Sequence, residues 1–180
     1  MALLAEELVE EWLNRQGYFT IRGIKIGVHE IDLLAILPTK DATDRRQIEV
    51  QASVRPVSYI TRVPRAVQKA TGRAPNSALV RDDGELRQGV KEWVDKKFNH
   101  PDKEALRQHL CQGVWSRELV VHVVKHPQEI ELIQEAGVTV HRLVDIVASL
   151  KAGGSLLDGA AGSSLLDLVA MTAGMERADA

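Results

Sequence analysis

The chain of 180 residues is 44% hydrophobic and 27% charged, with a formal net charge of −2, an ordinary composition for one soluble domain with a sizeable core. Cys111 is the single cysteine, which excludes a disulfide framework and a thiolate zinc cluster. Four glutamates in "MALLAEELVEEWL" argue against a signal peptide, and no apolar run approaches the roughly 20 residues that span a bilayer. An intracellular, cytoplasmic chain is therefore expected, with no membrane partner.

In chain order, Leu4, Ala5, Leu8, Val9, Trp12 and Leu13 share one helical face, predicting an amphipathic helix over 3–16 that Gly17 ends. "YFTIRGIKI" and "HEIDLLAIL" read as a hairpin around Gly23 and Gly27, "PTKDATDRR" as a polar turn and "QIEVQAS" as a third strand. "RAVQKATG" is helical after Pro64, with Gly72 as its stop. Two further helices are expected in "ELRQGVKEWVDKKF" and "HPDKEALRQHL", the second with Pro101 at its head. "ELVVHVV", "PQEIELIQEAG", "VTVHRL" and "VDIVASL" then complete a βαβα run. The expected fold class is α/β, with a mixed central sheet. Residues 151–180 are rich in Gly, Ala and Ser and repeat "SLLD" at 155–158 and 164–167. They read as a tail with a short docking helix, outside a domain spanning 1–150.

Charge is unevenly spread. Between Arg45 and Arg81, eight basic residues face the single acid Glu49, a net +7 that leaves −9 for the rest of the chain. Such asymmetry suits a local surface for a polyanion, or a solvated arginine-rich helix. Within "QIEVQAS", Glu49 and Gln51 project to the same side of a pleated strand. Asp32 interrupts the apolar run "IDLLAIL", where an unpaired carboxylate is costly. Glu6 borders the apolar face of the first helix, as Glu11 does at its other edge. Taken singly, Glu6 could be solvated and the two strand acids could pair with arginines. Two adjacent strands that each bring a carboxylate to one place repel unless a cation lies between them, and oxygen-only ligands suit Mg²⁺ or Mn²⁺.

The helix glutamate, the strand "EIDLLA" and the strand "IEV" resemble the PD-(D/E)XK nuclease superfamily. Glu6 stands eleven residues before Gly17, a spacing similar to that of archaeal Holliday-junction resolvases. "HEIDLLAI" resembles the "G-E-I-D-L-I-A" motif of small bacterial nuclease-like proteins, with His29 where glycine is usual. The resemblance covers residues 1–73 best. It implies a restriction-endonuclease-like αβββαβ core, a helical insertion at about 83–112 and a C-terminal βαβα extension. It also implies metal ligation by Asp32, Glu49 and the Val50 carbonyl, with Glu6 holding a second metal or its water. The implied activity is metal-dependent DNA endonuclease chemistry, structure-selective or restriction-type, with a homodimer as the expected assembly.

Gln51 departs from this pattern, since the family usually has lysine there. Some restriction endonucleases of the superfamily also carry glutamine at that place, so Gln51 remains a candidate catalytic residue. Lys69, on the helix that follows, is the candidate replacement cation, and Lys25 a weaker one by strand parity. Parity also turns His29 away from the site. Arg55, Arg62, Arg65, Lys69 and Arg73 are the candidate phosphate contacts. With only 4% aromatic residues there is little stacking material for splayed single strands, so duplex or branched DNA is the expected partner. A non-catalytic nucleic-acid-binding or partner subunit is the main alternative. A third reading centres on residues 118–150 as an interaction unit, in which His122, His126 and His141 match no metal-ligand spacing.

Overall fold

The computed structural model describes residues 2–53 and 56–152. Helix α1 (Ala2–Arg15) leads into strands β1 (Phe19–Ile26), β2 (His29–Pro38) and β3 (Thr43–Gln51). Helices α2 (Arg65–Thr71), α3 (Asp83–Lys97) and α4 (Pro101–Leu110) follow. Strand β4 (Ser116–Val121), α5 (Pro127–Glu135), β5 (Thr139–Arg142) and α6 (Leu143–Ala152) complete the order. The five strands form one mixed sheet in sequence order, an α/β architecture with helices on both faces. The pairs β1–β2 and β2–β3 are antiparallel, whereas β3–β4 and β4–β5 are parallel. No helix among the described residues is long and apolar enough to cross a membrane.

Two cores account for the layering. On one face, Ala5, Val9 and Leu13 of α1 and Ile146 and Leu150 of α6 pack on Leu33, Ala35, Ile48, Val50 and Val120. On the other, Val90, Trp93 and Val94 of α3 and Leu132 and Ile133 of α5 pack on Leu119 and Val121. Each fully buried side chain of this size contributes roughly 1.5–3 kcal/mol of hydrophobic transfer energy. The strict alternation along β3 sends Ile48 and Val50 to the α1 layer, so Gln47 and Glu49 face α3 and α4.

Alternation fails in β2, at the position that carries Asp32. Leu33 and Ala35 pack against α1, yet Ile31 belongs with Leu34 and Trp115 in a third apolar cluster beside Leu106 of α4. Opposite Asp32, the β1 chain passes through Gly23 at φ +66°, a conformation open to glycine without steric cost. The β2–β3 ladder also ends at the Leu33–Ile48 pair. Asp32 thus stands where the sheet changes face and its two central antiparallel strands separate.

Two expectations require correction. "PTKDATDRR" is a turn only over residues 39–42, because β3 already begins at Thr43. Its polar start is held inside the fold. Arg46 is buried, pairs with Glu118 (Nη2 to Oε2 2.5 Å) and lies over the rings of Trp12 and Tyr18. The strand expected at "ELVVHVV" runs from Ser116 to Val121, and Val124 instead makes an isolated bridge to Val57. The helices expected at 83–112 are α3 and α4, while the "SLLD" repeats lie outside the described residues.

Candidate active site at the sheet switch point

Glu49 is 1% exposed, so its carboxylate requires compensation. Arginines do not supply it. Lys97, the last residue of α3, bonds Oε2, while Lys103 of α4 lies 3.4 Å from Oε1 and the Gln47 amide donates to Oε1 at 3.1 Å. Lys103 also donates to the carbonyls of Glu30 (2.5 Å) and Lys97 (3.0 Å), tying both helices to β2. The Gln47 amide donates to the Lys97 carbonyl at 2.8 Å, and Arg107 of α4 donates to the Gln47 side-chain oxygen. Of the three helices inserted between β3 and β4, α3 and α4 therefore build the floor of the site.

Asp32 Oδ2 accepts the backbone N–H of Val50 at 2.8 Å, taking a hydrogen bond that the interrupted β2–β3 ladder leaves open. It is this N–H, rather than the Val50 carbonyl, that meets the Asp32 side chain. Burial pushes the Glu49 carboxyl up, and the Asp32 charge pushes it further, while Lys97 and Lys103 pull it down. Glu6 behaves alike: burial raises it most, Asp32 next, against the pull of Arg22 and Lys97. The two acids that flank Asp32 thus both carry its repulsion. Glu11, the other glutamate at the edge of α1, is buried and pairs with Arg15 at 2.7 Å. Among the described residues, Glu6, Asp32 and Glu49 do not close to the 4.8 Å spacing of a three-ligand metal group.

For Lys97, burial lowers the affinity for a proton, but Glu49 and Asp32 outweigh it and the ammonium titrates above its ordinary range. Its side chain is 26% exposed, against 2% for Lys103. Lys97 is therefore the more solvent-accessible of the two ammonium groups at Glu49. Lys69 does not take this place. It is exposed on α2, and Gln68 beside it is spent on the Val63 carbonyl at 2.5 Å. Gln51 is exposed at the end of β3, and Lys25 is exposed on β1.

The arginine-rich stretch divides into anchors and free cations. Arg73 is withdrawn from the candidate phosphate contacts because both oxygens of Glu85 (2.8 and 2.9 Å) and the Leu79 carbonyl occupy its guanidinium. Arg81 is buried over the Tyr59 ring and donates to Thr61. Arg62 and Arg65 are exposed, the first on a loop pinned by the buried carboxylate of Glu129, which accepts from the Ile60 and Thr61 backbone at 2.6 and 2.9 Å, the second at the start of α2. Burial, then Arg62, Lys97 and Arg65, lower the Lys96 ammonium. Arg55 lies outside the described residues.

The histidines of residues 118–150 do not gather. His141 bonds Glu118 at 2.7 Å, and His126 stacks on Tyr59 with ring centroids 4.3 Å apart. Lys97 and Lys103 were missed in the sequence because each meets Glu49 across about fifty residues of chain, a pairing that no local pattern encodes. His29 meets His100 at the head of α4.

No family model matches the chain, and no curated protein does. A solved structure titled "Crystal Structure of Protein of Unknown Function AF1548" is similar to it at a TM-score of 0.46 and 10% identity. The similarity covers 83% of this chain and 66% of that one.

Proposed function

We propose that the chain is a metal-dependent nuclease acting on duplex or branched DNA, with Asp32 and Glu49 as its metal ligands. One observation carries the reading: at the break in the sheet Asp32 accepts the N–H of Val50, next to the buried Glu49 whose carboxylate bonds the partly accessible ammonium of Lys97. Asp32 and Glu49 offer the hard oxygen donors that Mg²⁺ and Mn²⁺ take, and their repulsion is what a divalent cation relieves. When bound, such an ion lowers the pKa of a coordinated water and neutralises charge on a phosphate. Glu6 adds negative charge at the rim, and Gln51 is left on the strand end. Lys97 takes the role that the resemblance assigns to a lysine on β3, holding positive charge beside Glu49. Arg62, Arg65 and Lys96 hold the flanking phosphates. Any cation at Glu49 competes with Lys97 for that carboxylate.

Asp32→Asn and Glu49→Gln test the assignment, the first keeping an oxygen for the Val50 N–H. Both variants are expected to bind DNA as the parent does and to cleave none; cleavage that survives both changes refutes it. A second reading rests on the same pairs. Both Glu49 oxygens are already bonded to ammonium groups, which favours a non-catalytic DNA-binding subunit whose acid–lysine cluster is structural. That reading expects binding to be indifferent to divalent ions.

A further inference from the structure

A separate set of ligands lies at the opening of β2. His29 is the first residue of β2, His100 is the N-cap of α4, and Asp102 is in that helix's first turn. The two imidazole rings face one another with centroids 3.7 Å apart and planes inclined by 37°. His100 Nδ1 is 3.8 Å from Asp102 Oδ2, and one donor atom from each of the three residues lies within 4.8 Å of the others. Among the described residues, this is the group of three or more such side chains that closes to that spacing. Glu6, Asp32 and Glu49 do not.

The arrangement is held in place from beneath. Lys103, 1% exposed, bonds the carbonyl of Glu30, next to His29, and the carbonyl of Lys97, three residues before His100. The backbones that carry the two imidazoles are thereby clamped together. His100 Nδ1 accepts the Asp102 N–H at 3.4 Å, a long cap bond that a metal at Nδ1 replaces while Nε2 keeps the ring proton. His29 and His100 are half-buried and Asp102 is exposed, so the group opens to solvent on one side.

The geometry points to a transition-metal site formed by His29, His100 and Asp102, taking Zn²⁺ through two imidazole nitrogens and one carboxylate oxygen. Nitrogen-rich donors of this kind select a borderline cation over Mg²⁺, and three protein ligands leave a fourth position for water. The site is independent of the nuclease reading and uses none of its ligands. It joins the head of α4 to the head of β2, three residues before Asp32.

The test is zinc titration of the full-length, metal-stripped chain against a chromophoric chelator, with Co²⁺ absorption as a second readout. The parent is expected to bind one Zn²⁺ at this site, and its Co²⁺ form to give the intense visible bands of a four-coordinate ion. His29→Ala and His100→Ser, the latter keeping an N-cap oxygen, are expected to raise the dissociation constant at least tenfold and to abolish those bands. An Asp32→Asn variant is expected to leave both readouts unchanged. Zinc affinity unaltered by His29→Ala and His100→Ser overturns the assignment, as does loss of binding in the Asp32→Asn variant.

Discussion

Lys97 is the residue on which the site's electrostatics turn. It shares Glu49 with Lys103 and Gln47, so Lys97→Ala leaves the buried carboxylate partly compensated. The expected stability loss is about 1–3 kcal/mol, below the roughly 3–5 kcal/mol of a buried pair broken outright, and is measurable by denaturant unfolding. On the nuclease reading, the same change lowers the cleavage rate on the order of 10²-fold or more, the scale of a positioned catalytic group. Lys69→Ala, a change on the exposed face of α2, is expected to leave the rate of bound substrate unaltered. The sequence made the acids legible because a carboxylate in an apolar strand is conspicuous. Their partners were not legible, since a lysine near a helix end looks the same whether it faces water or a buried glutamate.

Among the elements, α3 carries Lys96 and Lys97 of the proposed site at its C-terminal end, while Asp82 caps the other by accepting the Glu85 N–H at 2.8 Å. Asp82→Ala is expected to cost about 1 kcal/mol. Gly23 is the second sensitive point. A Cβ there meets nothing within 4 Å, yet φ is +66°, so Gly23→Val is opposed by backbone strain alone, roughly 1–2 kcal/mol. In a domain of this size that lowers Tm by very roughly 2–8 °C, checked by thermal unfolding. Helices α1, α3, α5 and α6 were readable because their apolar periodicity matches the face they bury, whereas α4, which buries Lys103 and Arg107, was readable from Pro101 at its head. The start of β3 was not, because Arg45 and Arg46 read as surface residues although Arg46 is buried against Glu118. The reversal of β2 at Asp32 was equally hidden, since period-two reasoning assumes an unbroken strand and Gly23 breaks it from the neighbouring one.

Across the molecule, charge is arranged as a buried acid on each side of the sheet. On the α1 side, Glu118 is pushed up by burial, but hydrogen bonds from His141 and Arg46 overcome this and hold its carboxyl at about 2. A carboxylate depressed from 4.5 to about 2 contributes stability that is full above its unfolded value and lost as pH falls through the folded one. Unfolding free energies of the parent should therefore fall between those two values, and Glu118→Gln should flatten that acid limb. Glu49 works in the opposite sense. Its raised carboxyl favours the folded state most at low pH, and this contribution is lost as pH rises through its folded value. On the nuclease reading, Arg62→Ala and Arg65→Ala are expected to weaken DNA binding to unrelated sequences alike and to reduce its salt dependence, as read by titrations at two salt concentrations.

The central claim is that the carboxylates at the sheet break serve phosphodiester hydrolysis. It is tested most directly by incubating the full chain with supercoiled plasmid, a four-way junction and single strands in Mg²⁺, Mn²⁺ or a chelator. Strand cleavage of plasmid or junction in either metal, suppressed by the chelator, is the predicted result. DNA bound but left intact in both metals would contradict it.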